Sequence, residues 1–459
     1  MRHSLTVSTI LFLSIVKWVV LATFAGAIVG AATAGFLKVL AYATALGSAH
    51  EYSFLLLPFA MFLSAVMVQY LAPDAKGHGT EKVIEAIHKR AGRIPAAVVP
   101  VKLLATIVTL GVGGSVGKEG PCAQIGAGLT SLFSDIMKFD DHDRKKLVIC
   151  GISAGFAAVF GTPIAGSIFG VEVLFVGNIM YEVLLPSFIA GITAFEVSSS
   201  LGVTYFHEPV SIVPVFSEAF LLKVILAGIF FGLCSIYLIE VLRYGEKLAN
   251  GIKIWSPAKG IIGGAALIVL TFIFSTNYLG LGLHTIEACM RGEPVNWYAF
   301  LVKPVFSSIT LGFGGSGGIV TPIFFVGATA GVAFAVMTGL NSATFAAIGF
   351  VSVLAGAANT PIAASILSVE IFGPSIAPYA TVACVISFLM TGHRSVYHSQ
   401  VLSISKSPSL GVEIGGELEH IRTTVAPKGM IKKVFDVLSR IERIVNKYQS
   451  RAEEEDEGR

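Results

Sequence analysis

Hydrophobic residues follow one another in long runs along most of the chain, and polar residues gather in short segments between them. A membrane-spanning helix needs about 20 apolar residues. Several runs are too long for one helix and are interrupted by glycine or proline, so the pattern predicts roughly ten to eighteen helices, some tilted and some ending inside the membrane. The runs lie near 8–46, 53–72, 96–112, 147–204, 218–242, 258–282, 298–340 and 344–392.

The composition is typical of a multi-pass integral membrane protein. Of 459 residues, 54% are hydrophobic and 13% are charged, which is about half of the charged fraction of soluble domains. A net charge of +3 provides no basic field for a nucleic-acid partner. The first apolar run extends far beyond the apolar core of a signal peptide and is interpreted as a membrane helix. Cysteine and histidine follow no ligand spacing, so we expect no metal site and no cofactor.

Lysine and arginine in short loops predict the orientation. They are frequent in 72–95 and after residue 420, and such segments face the cytoplasm. We therefore expect both termini to be cytoplasmic and the protein to lie in the cell membrane. The tail contains a stretch with helical periodicity at 431–448. The predicted division is a cytoplasmic N-terminus, two transmembrane repeats and a cytoplasmic tail, at 1–10, 11–204, 205–410 and 411–459.

The two halves of the chain resemble each other. The segment KLLATIVTLGVGGSVGKEGPCAQIGAG begins at Lys102 and matches KPVFSSITLGFGGSGGIVTPIFFVGAT, which begins at Lys303. Further on, GTPIAGSIFGVEV (161–173) matches NTPIAASILSVEI (359–371). Matching interruptions in duplicated halves indicate a transport site at the repeat interface. The predicted fold class is therefore all-α, with two pseudo-symmetric repeats of tilted and broken helices. The span count would distinguish inverted from parallel repeats, and the inverted arrangement is preferred.

Each repeat contains a glycine-rich turn before a helix, GGSVGKEGP ending at Pro121 and GGSGGIVTP ending at Pro322. Proline is favoured at the first helical position, so both prolines are predicted to begin helices. Two helix N-termini at membrane depth could bind an anion through free N–H groups without a buried cation. A phosphate loop is excluded because Val112 and Glu119 occupy positions that require glycine and a hydroxyl residue.

These motifs resemble the CLC family of chloride channels and proton-coupled chloride transporters, in its prokaryotic form without CBS regulatory domains. GKEGP (117–121) is similar to the family's Gly-Lys/Arg-Glu-Gly-Pro signature, and GGIVTP (317–322) is similar to Gly-x-Phe-x-Pro. GHGTEKV (77–83) occupies the place of Gly-Ser-Gly-Ile-Pro, and SVYHSQVL (395–402) resembles the segment with the inner-gate tyrosine. The resemblance covers about residues 10–410. It implies a homodimer in the lipid bilayer with one anion pathway per subunit.

The resemblance also implies roles for individual residues. Glu119 matches the gating glutamate, whose carboxylate competes with the anion and swings away when it is protonated. The expected ligand is chloride or a similar monovalent anion. The residues expected at the anion site are Gly77, His78, Gly79, Gly117, Lys118, Gly120, Gly318, Ile319, Val320 and Tyr397.

The chain departs from the family pattern at two positions of the anion site. His78 replaces the central serine, with Glu81 in place of the following proline. The histidine either donates a hydrogen bond to the anion or faces the cytosol, and altered selectivity is one hypothesis that follows. Val320 replaces the usual phenylalanine and is expected to widen the central site.

A third departure concerns protons. Val173 occupies the place of the relay glutamate of proton-coupled members, and valine cannot carry a proton. Glu172 precedes Val173, and Glu370 occupies the position of Glu172 in the second repeat. Both glutamates are therefore interpreted as caps of neighbouring helices. A proton path through Glu119 and Glu172 is the alternative interpretation.

The preferred function is therefore an anion channel gated by Glu119, and proton–anion exchange is the alternative. An intramembrane enzyme is a remote third hypothesis, because it would need a partnering histidine, aspartate or metal cluster.

Overall fold

Each long apolar run folds into one or more helices in the computed structural model, which describes residues 2–208, 217–429 and 431–432. Within these residues, eight α-helices lie in each half. The first half contains α1 (Arg2–Ser48), α2 (Leu57–Leu71), α3 (Thr80–Lys89), α4 (Val98–Gly111), α5 (Glu119–Ile136), α6 (Asp141–Phe160), α7 (Pro163–Glu172) and α8 (Tyr181–Ser200). The second half contains α9 (Glu218–Gly251), α10 (Ala258–Ile273), α11 (Leu283–Met290), α12 (Ala299–Gly312), α13 (Val320–Thr338), α14 (Ser342–Ala358), α15 (Pro361–Phe372) and α16 (Ala377–Thr391).

Two pairs of short strands complete the described structure. Strand β1 (Phe175–Val176) runs parallel to β2 (Val401–Leu402) and joins the segment between α7 and α8 to the segment after α16. Strands β3 (Leu410–Gly411) and β4 (Thr424–Val425) form an antiparallel pair near the C-terminus.

Glycine and asparagine end helices inside the longest apolar runs. Gly161 ends α6 with a φ of 73°, and Asn359 ends α14 with a φ of 57°. Left-handed residues of this kind commonly follow a helix C-terminus. A proline begins the next helix in each case, at Pro163 and Pro361. Six described helices are long and apolar enough to cross a membrane, and the shorter apolar helices between them confirm the prediction of broken segments.

The helices of the two halves pack in the same order. Helix α1 packs on α8 as α9 packs on α16, and α5 packs on α6 as α13 packs on α14. Small residues bring the backbones together. A Cβ added to Gly26 would lie 2.5 Å from the Ala190 carbonyl oxygen, and one added to Gly228 would lie 2.9 Å from the Ile386 Cβ. Small residues at such crossings are typical of helix packing in membranes.

Two glutamates cap helices across the interface between the halves. The Glu172 carboxylate accepts hydrogen bonds from the N–H groups of Ile362 at 3.0 Å and Ala363 at 2.8 Å, at the start of α15. Glu370 accepts the same two bonds from Ile164 and Ala165 at the start of α7, at 3.0 and 2.8 Å. These bonds confirm the helix-cap interpretation of both glutamates.

Some predicted boundaries differ from the structure. Helices α5 and α13 begin at Glu119 and Val320, two residues before Pro121 and Pro322. A proline is tolerated there because N–H groups of the first turn have no intrahelical acceptor. The predicted terminal segment 1–10 is largely part of α1. Of the segment 431–448, for which the sequence indicates a helix, the described residues include only 431–432. The rest of that prediction lies outside them.

Candidate functional site

The glycine-rich turns of the two halves are joined directly through their backbones. The Gly117 N–H donates to the Gly318 carbonyl oxygen at 2.7 Å, and the Gly318 N–H donates to the Gly117 carbonyl oxygen at 2.6 Å. The loop before α3 packs against the same place, because a Cβ on Gly120 would lie 2.0 Å from the His78 carbonyl oxygen. A residue larger than glycine at position 120 would therefore push the loop before α3 away from the start of α5.

Hydroxyl groups anchor each turn to the opposite half. The Ser115 N–H donates to Thr310 Oγ1 at 3.2 Å, and the Ser316 N–H donates to Thr109 Oγ1 at 3.0 Å. All four residues are buried. Buried backbone donors need acceptors, and here each half supplies the acceptor for the other.

Glu119 is the first residue of α5, and its carboxylate lies at the N-terminus of α13. Its Oε2 accepts a hydrogen bond from the Thr321 N–H at 3.1 Å, and its Oε1 accepts one from Thr321 Oγ1 at 2.5 Å. The side chain is 1% exposed. Free N–H groups and the helix dipole make such an end an anion site, and the carboxylate occupies it.

Two glycines with positive φ values and a buried lysine fix the conformation of the loop before α3. Gly77 and Gly79 have φ values of 79° and 86°, a conformation that favours glycine. The Lys102 ammonium donates to the carbonyl oxygens of Gly77 at 2.6 Å and Ala75 at 3.2 Å. This loop presents His78 next to the glycine-rich turns.

The second half repeats this arrangement in the loop before α11. Gly280 and Gly282 also have positive φ values, 55° and 73°. The Lys303 ammonium donates to the carbonyl oxygens of Gly280 at 2.8 Å and Tyr278 at 3.0 Å. Leu281 stands where the first half has His78, so the imidazole distinguishes the two loops.

Tyr397 and His78 form a polar pair with unused hydrogen-bonding capacity. Their ring centroids are 5.7 Å apart, and Tyr397 is fully buried. Among the described residues, neither the Tyr397 hydroxyl nor the buried Nδ1 of His78 has a hydrogen-bond partner. An anion at this point would satisfy a phenolic hydroxyl and an imidazole N–H. The Nδ1 of His78 is buried while the side chain lines a cavity, so both alternatives for His78, a hydrogen bond to the anion and a cytosolic orientation, stay predictions.

Two cavities approach the turns. The first, which we name the Glu119 cavity, has a volume of about 330 Å³ and is lined by Glu119, Lys118 and Thr321. The second, which we name the Glu81 cavity, has a volume of about 300 Å³ and is lined by Glu81 and His78.

A family model described as voltage gated chloride channel matches residues 59–392. The chain belongs to this CLC family. A curated relative from Pseudomonas syringae pv. tomato, named chloride/fluoride channel protein, is 36% identical over 400 residues, which cover 85% of this chain and 88% of the relative. The voltage-gated ClC-type chloride channel ClcB of Escherichia coli O9:H4 is 27% identical over 70% of this chain and 80% of its own length.

Solved structures support the CLC fold. One titled as a CLC-type fluoride/proton antiporter is 28% identical, covers 84% of this chain and 98% of its own, and gives a TM-score of 0.81. A slow cyanobacterial Cl⁻/H⁺ antiporter, at 20% identity and a TM-score of 0.71, supports the fold alone. The predicted all-α, polytopic fold class is thus confirmed, and this chain is an anion-transport protein of the CLC family.

The structure gathers most of the predicted residues of the CLC anion site into one region. Ile319 precedes α13 and Val320 is its first residue, both buried, whereas Lys118 precedes α5 at the edge of the Glu119 cavity. Glu172 lies apart, at the N-terminus of α15. The gating role of Glu119 and the anion contacts of the other residues stay predictions.

Sequence reasoning missed Thr321 as the partner of Glu119. Its only signal was a hydroxyl residue in the helix-opening motif GGIVTP. Lys102 and Lys303 match each other in the two repeats, but their hydrogen bonds to loop carbonyl oxygens are visible only in the folded structure. Glu81 was noted as a departure, and its unpaired oxygen could not be foreseen from the sequence.

Proposed function

We propose that this CLC protein moves a small halide, fluoride ahead of chloride, across the membrane in exchange for protons. The observation that carries the proposal is the Glu119 carboxylate, which is seated at the N-terminus of α13 on the N–H and hydroxyl of Thr321. A carboxylate in an anion site can leave it when protonated, which links anion entry to proton uptake.

The chemistry of the site favours fluoride. A small anion loses more hydration energy than a large one and needs strong hydrogen-bond donors in return. Thr321 supplies a hydroxyl and an N–H, and Tyr397 and His78 have unpartnered polar atoms among the described residues. The names of two relatives, a chloride/fluoride channel protein and a fluoride/proton antiporter, agree with this choice.

An uncoupled anion channel is the second candidate. Val173 cannot relay a proton, and both carboxylate oxygens of Glu172 already accept backbone hydrogen bonds. The relative from Pseudomonas syringae pv. tomato is named a channel. With either function, the protein would lie in a cell membrane with the lysine-rich segment 72–95 in the cytoplasm. It would form a homodimer in which each subunit contains its own anion pathway.

The test is a flux measurement in liposomes. The purified protein is reconstituted with internal fluoride or chloride, and anion efflux and external pH are recorded together. We expect fluoride to leave faster than chloride and external pH to rise as protons enter. Fluoride efflux without proton movement would support the channel instead, and faster chloride than fluoride efflux would overturn the anion preference.

Glu119→Gln tests the gate in the same assay. Glutamine cannot release or bind the proton, so proton movement should disappear and any remaining anion flux should become independent of pH. Glu287→Gln is the matched control, because Glu287 lines the same cavity but its side chain is 41% exposed. Proton movement that persists in Glu119→Gln would refute the gating role.

A further inference from the structure

Glu81 is a carboxylate with one engaged and one unpaired oxygen. Its Oε1 accepts hydrogen bonds from the Ser399 N–H at 2.9 Å and the Ser399 hydroxyl at 2.6 Å. Its Oε2 is buried and has no hydrogen-bond partner among the described residues. An ionised oxygen in this state is costly. A proton on Oε2 would neutralise the carboxylate and lower that cost, so the side chain is suited to bind one.

Glu81 lies in a cavity that borders the candidate anion site. Its side chain lines the Glu81 cavity together with His78 and Ser399. His78 in turn contacts Tyr397, and the His78 backbone packs on Gly120, the neighbour of Glu119 in sequence. A proton bound at Glu81 is therefore next to the residues that separate this cavity from Glu119.

Two other carboxylates are less suited to the task, one that lines this cavity and one that lies outside it. Glu85 forms an ion pair with Lys82 at 2.7 Å on the surface of α3, and Glu172 has both oxygens committed to α15. The remaining charged or titratable side chains that line the cavity come from the loop before α3, from α3 itself, from α9 and from the segment after α16: Lys76, Lys89, Glu246, His398 and Glu419.

The protonation equilibrium supports the same assignment. Helix α3 is not among the described helices that are long and apolar enough to cross a membrane. Burial raises the pKa of Glu81 to about 7, although the hydrogen bonds from Ser399 and the charge of Lys82 act in the opposite direction. The carboxyl group can therefore gain and lose a proton near neutral pH.

We propose that Glu81 exchanges protons between the Glu81 cavity and the anion pathway, in place of the relay glutamate that Val173 replaces. This inference rests on the proposed function of proton-coupled transport. The proton leaves the Glu81 carboxyl group, passes through the pathway beside Tyr397 and protonates the Glu119 carboxylate. Glu119 then releases it into the Glu119 cavity. Glu81 then regains a proton from the Glu81 cavity, and when fluoride leaves and protons enter, each transfer runs in the opposite direction. Both carboxyl groups return to their starting states, so that no other reactant is consumed.

The experiment compares Glu81→Gln with wild-type protein and with Glu85→Gln in the liposome assay. Glutamine keeps a carbonyl oxygen for Ser399, which preserves the local structure, but it cannot carry a proton. We expect the ratio of proton flux to fluoride flux to fall at least about tenfold in Glu81→Gln. Glu85→Gln changes the next turn of the same helix and should keep the wild-type ratio. Glu81→Asp, which restores a titratable group, should recover part of the proton flux.

The outcomes separate this inference from the function on which it rests. A wild-type protein that moves fluoride without protons would refute the proposed exchange and, with it, the role of Glu81. A coupled wild-type protein with an equally coupled Glu81→Gln variant would overturn the inference alone. Equal losses of proton and fluoride flux in Glu81→Gln would also overturn it, because they would indicate a structural role.

Discussion

The reciprocal caps formed by Glu172 and Glu370 give the sharpest prediction. We consider Glu172→Gln, in which one carbonyl oxygen replaces two charged oxygens. Of the N–H groups of Ile362 and Ala363, now at 3.0 and 2.8 Å from the carboxylate, one loses its acceptor and the other keeps a neutral one. Both belong to the first turn of α15, where no backbone acceptor is available.

The expected loss in the free energy of unfolding follows from these two hydrogen bonds. A hydrogen bond to a charged group contributes about 1.5–3 kcal/mol, and a negative charge at a helix N-terminus contributes about 0.3–1 kcal/mol more. Glu172→Gln should therefore lower the free energy of unfolding by about 2–4 kcal/mol. Glu370→Gln should cost less, because Glu370 is only partly buried whereas Glu172 is 5% exposed.

The assay is thermal unfolding of the purified protein in detergent, followed by its remaining monodisperse fraction after heating. At roughly 2 °C per kcal/mol, which is the lower end for large domains, Glu172→Gln should lower the midpoint by about 4–8 °C. Glu196→Gln on α8 changes an exposed glutamate and should leave the midpoint unchanged. A wild-type midpoint together with lost proton transport would refute the capping argument and favour Glu172 as a relay.

Three further substitutions probe the anion site and the proton path. Gly120→Ala would place a Cβ 2.0 Å from the His78 carbonyl oxygen, so we expect anion flux to be lost, and wild-type flux would contradict the close packing of α5 on the loop before α3. Thr321→Val removes a hydroxyl donor, so fluoride binding measured by titration calorimetry should weaken by about 10- to 100-fold, and unchanged affinity would exclude that hydroxyl from the site. Ser399→Ala removes a hydrogen bond that lowers the pKa of Glu81. That pKa should rise, and the pH at half-maximal proton flux should move upward in liposomes; a downward shift would contradict this sign.

The sequence predicts the architecture well because the signals are local. Apolar runs interrupted by Gly161 with Pro163, and by Asn359 with Pro361, mark helix ends through backbone conformations that those residues favour. The glycine-rich turns could be located for the same reason. The start of α5 could not be placed accurately, because proline is compatible with any position of the first helical turn.

The sequence could not predict which side chains form contacts between the two halves. Thr321 and Glu119 are far apart in the chain, and apart from the resemblance to the CLC family no local pattern indicates that a carboxylate of α5 would reach Thr321 at the N-terminus of α13. The same holds for Glu81 and Ser399, whose hydrogen bonds join α3 to the segment after α16. Such pairs depend on the relative placement of helices, which single-sequence patterns do not encode.

The duplicated halves explain why this site requires the whole fold. Ser115 of the first turn donates to Thr310 of the second half, and Ser316 donates to Thr109 of the first. If either threonine hydroxyl were lost from the assembled fold, one turn would contain a buried N–H without an acceptor, which is costly. The two halves differ at the candidate site. Because one repeat supplies the Glu119 carboxylate and the other supplies the helix end that receives it, a symmetric backbone acquires a single asymmetric site.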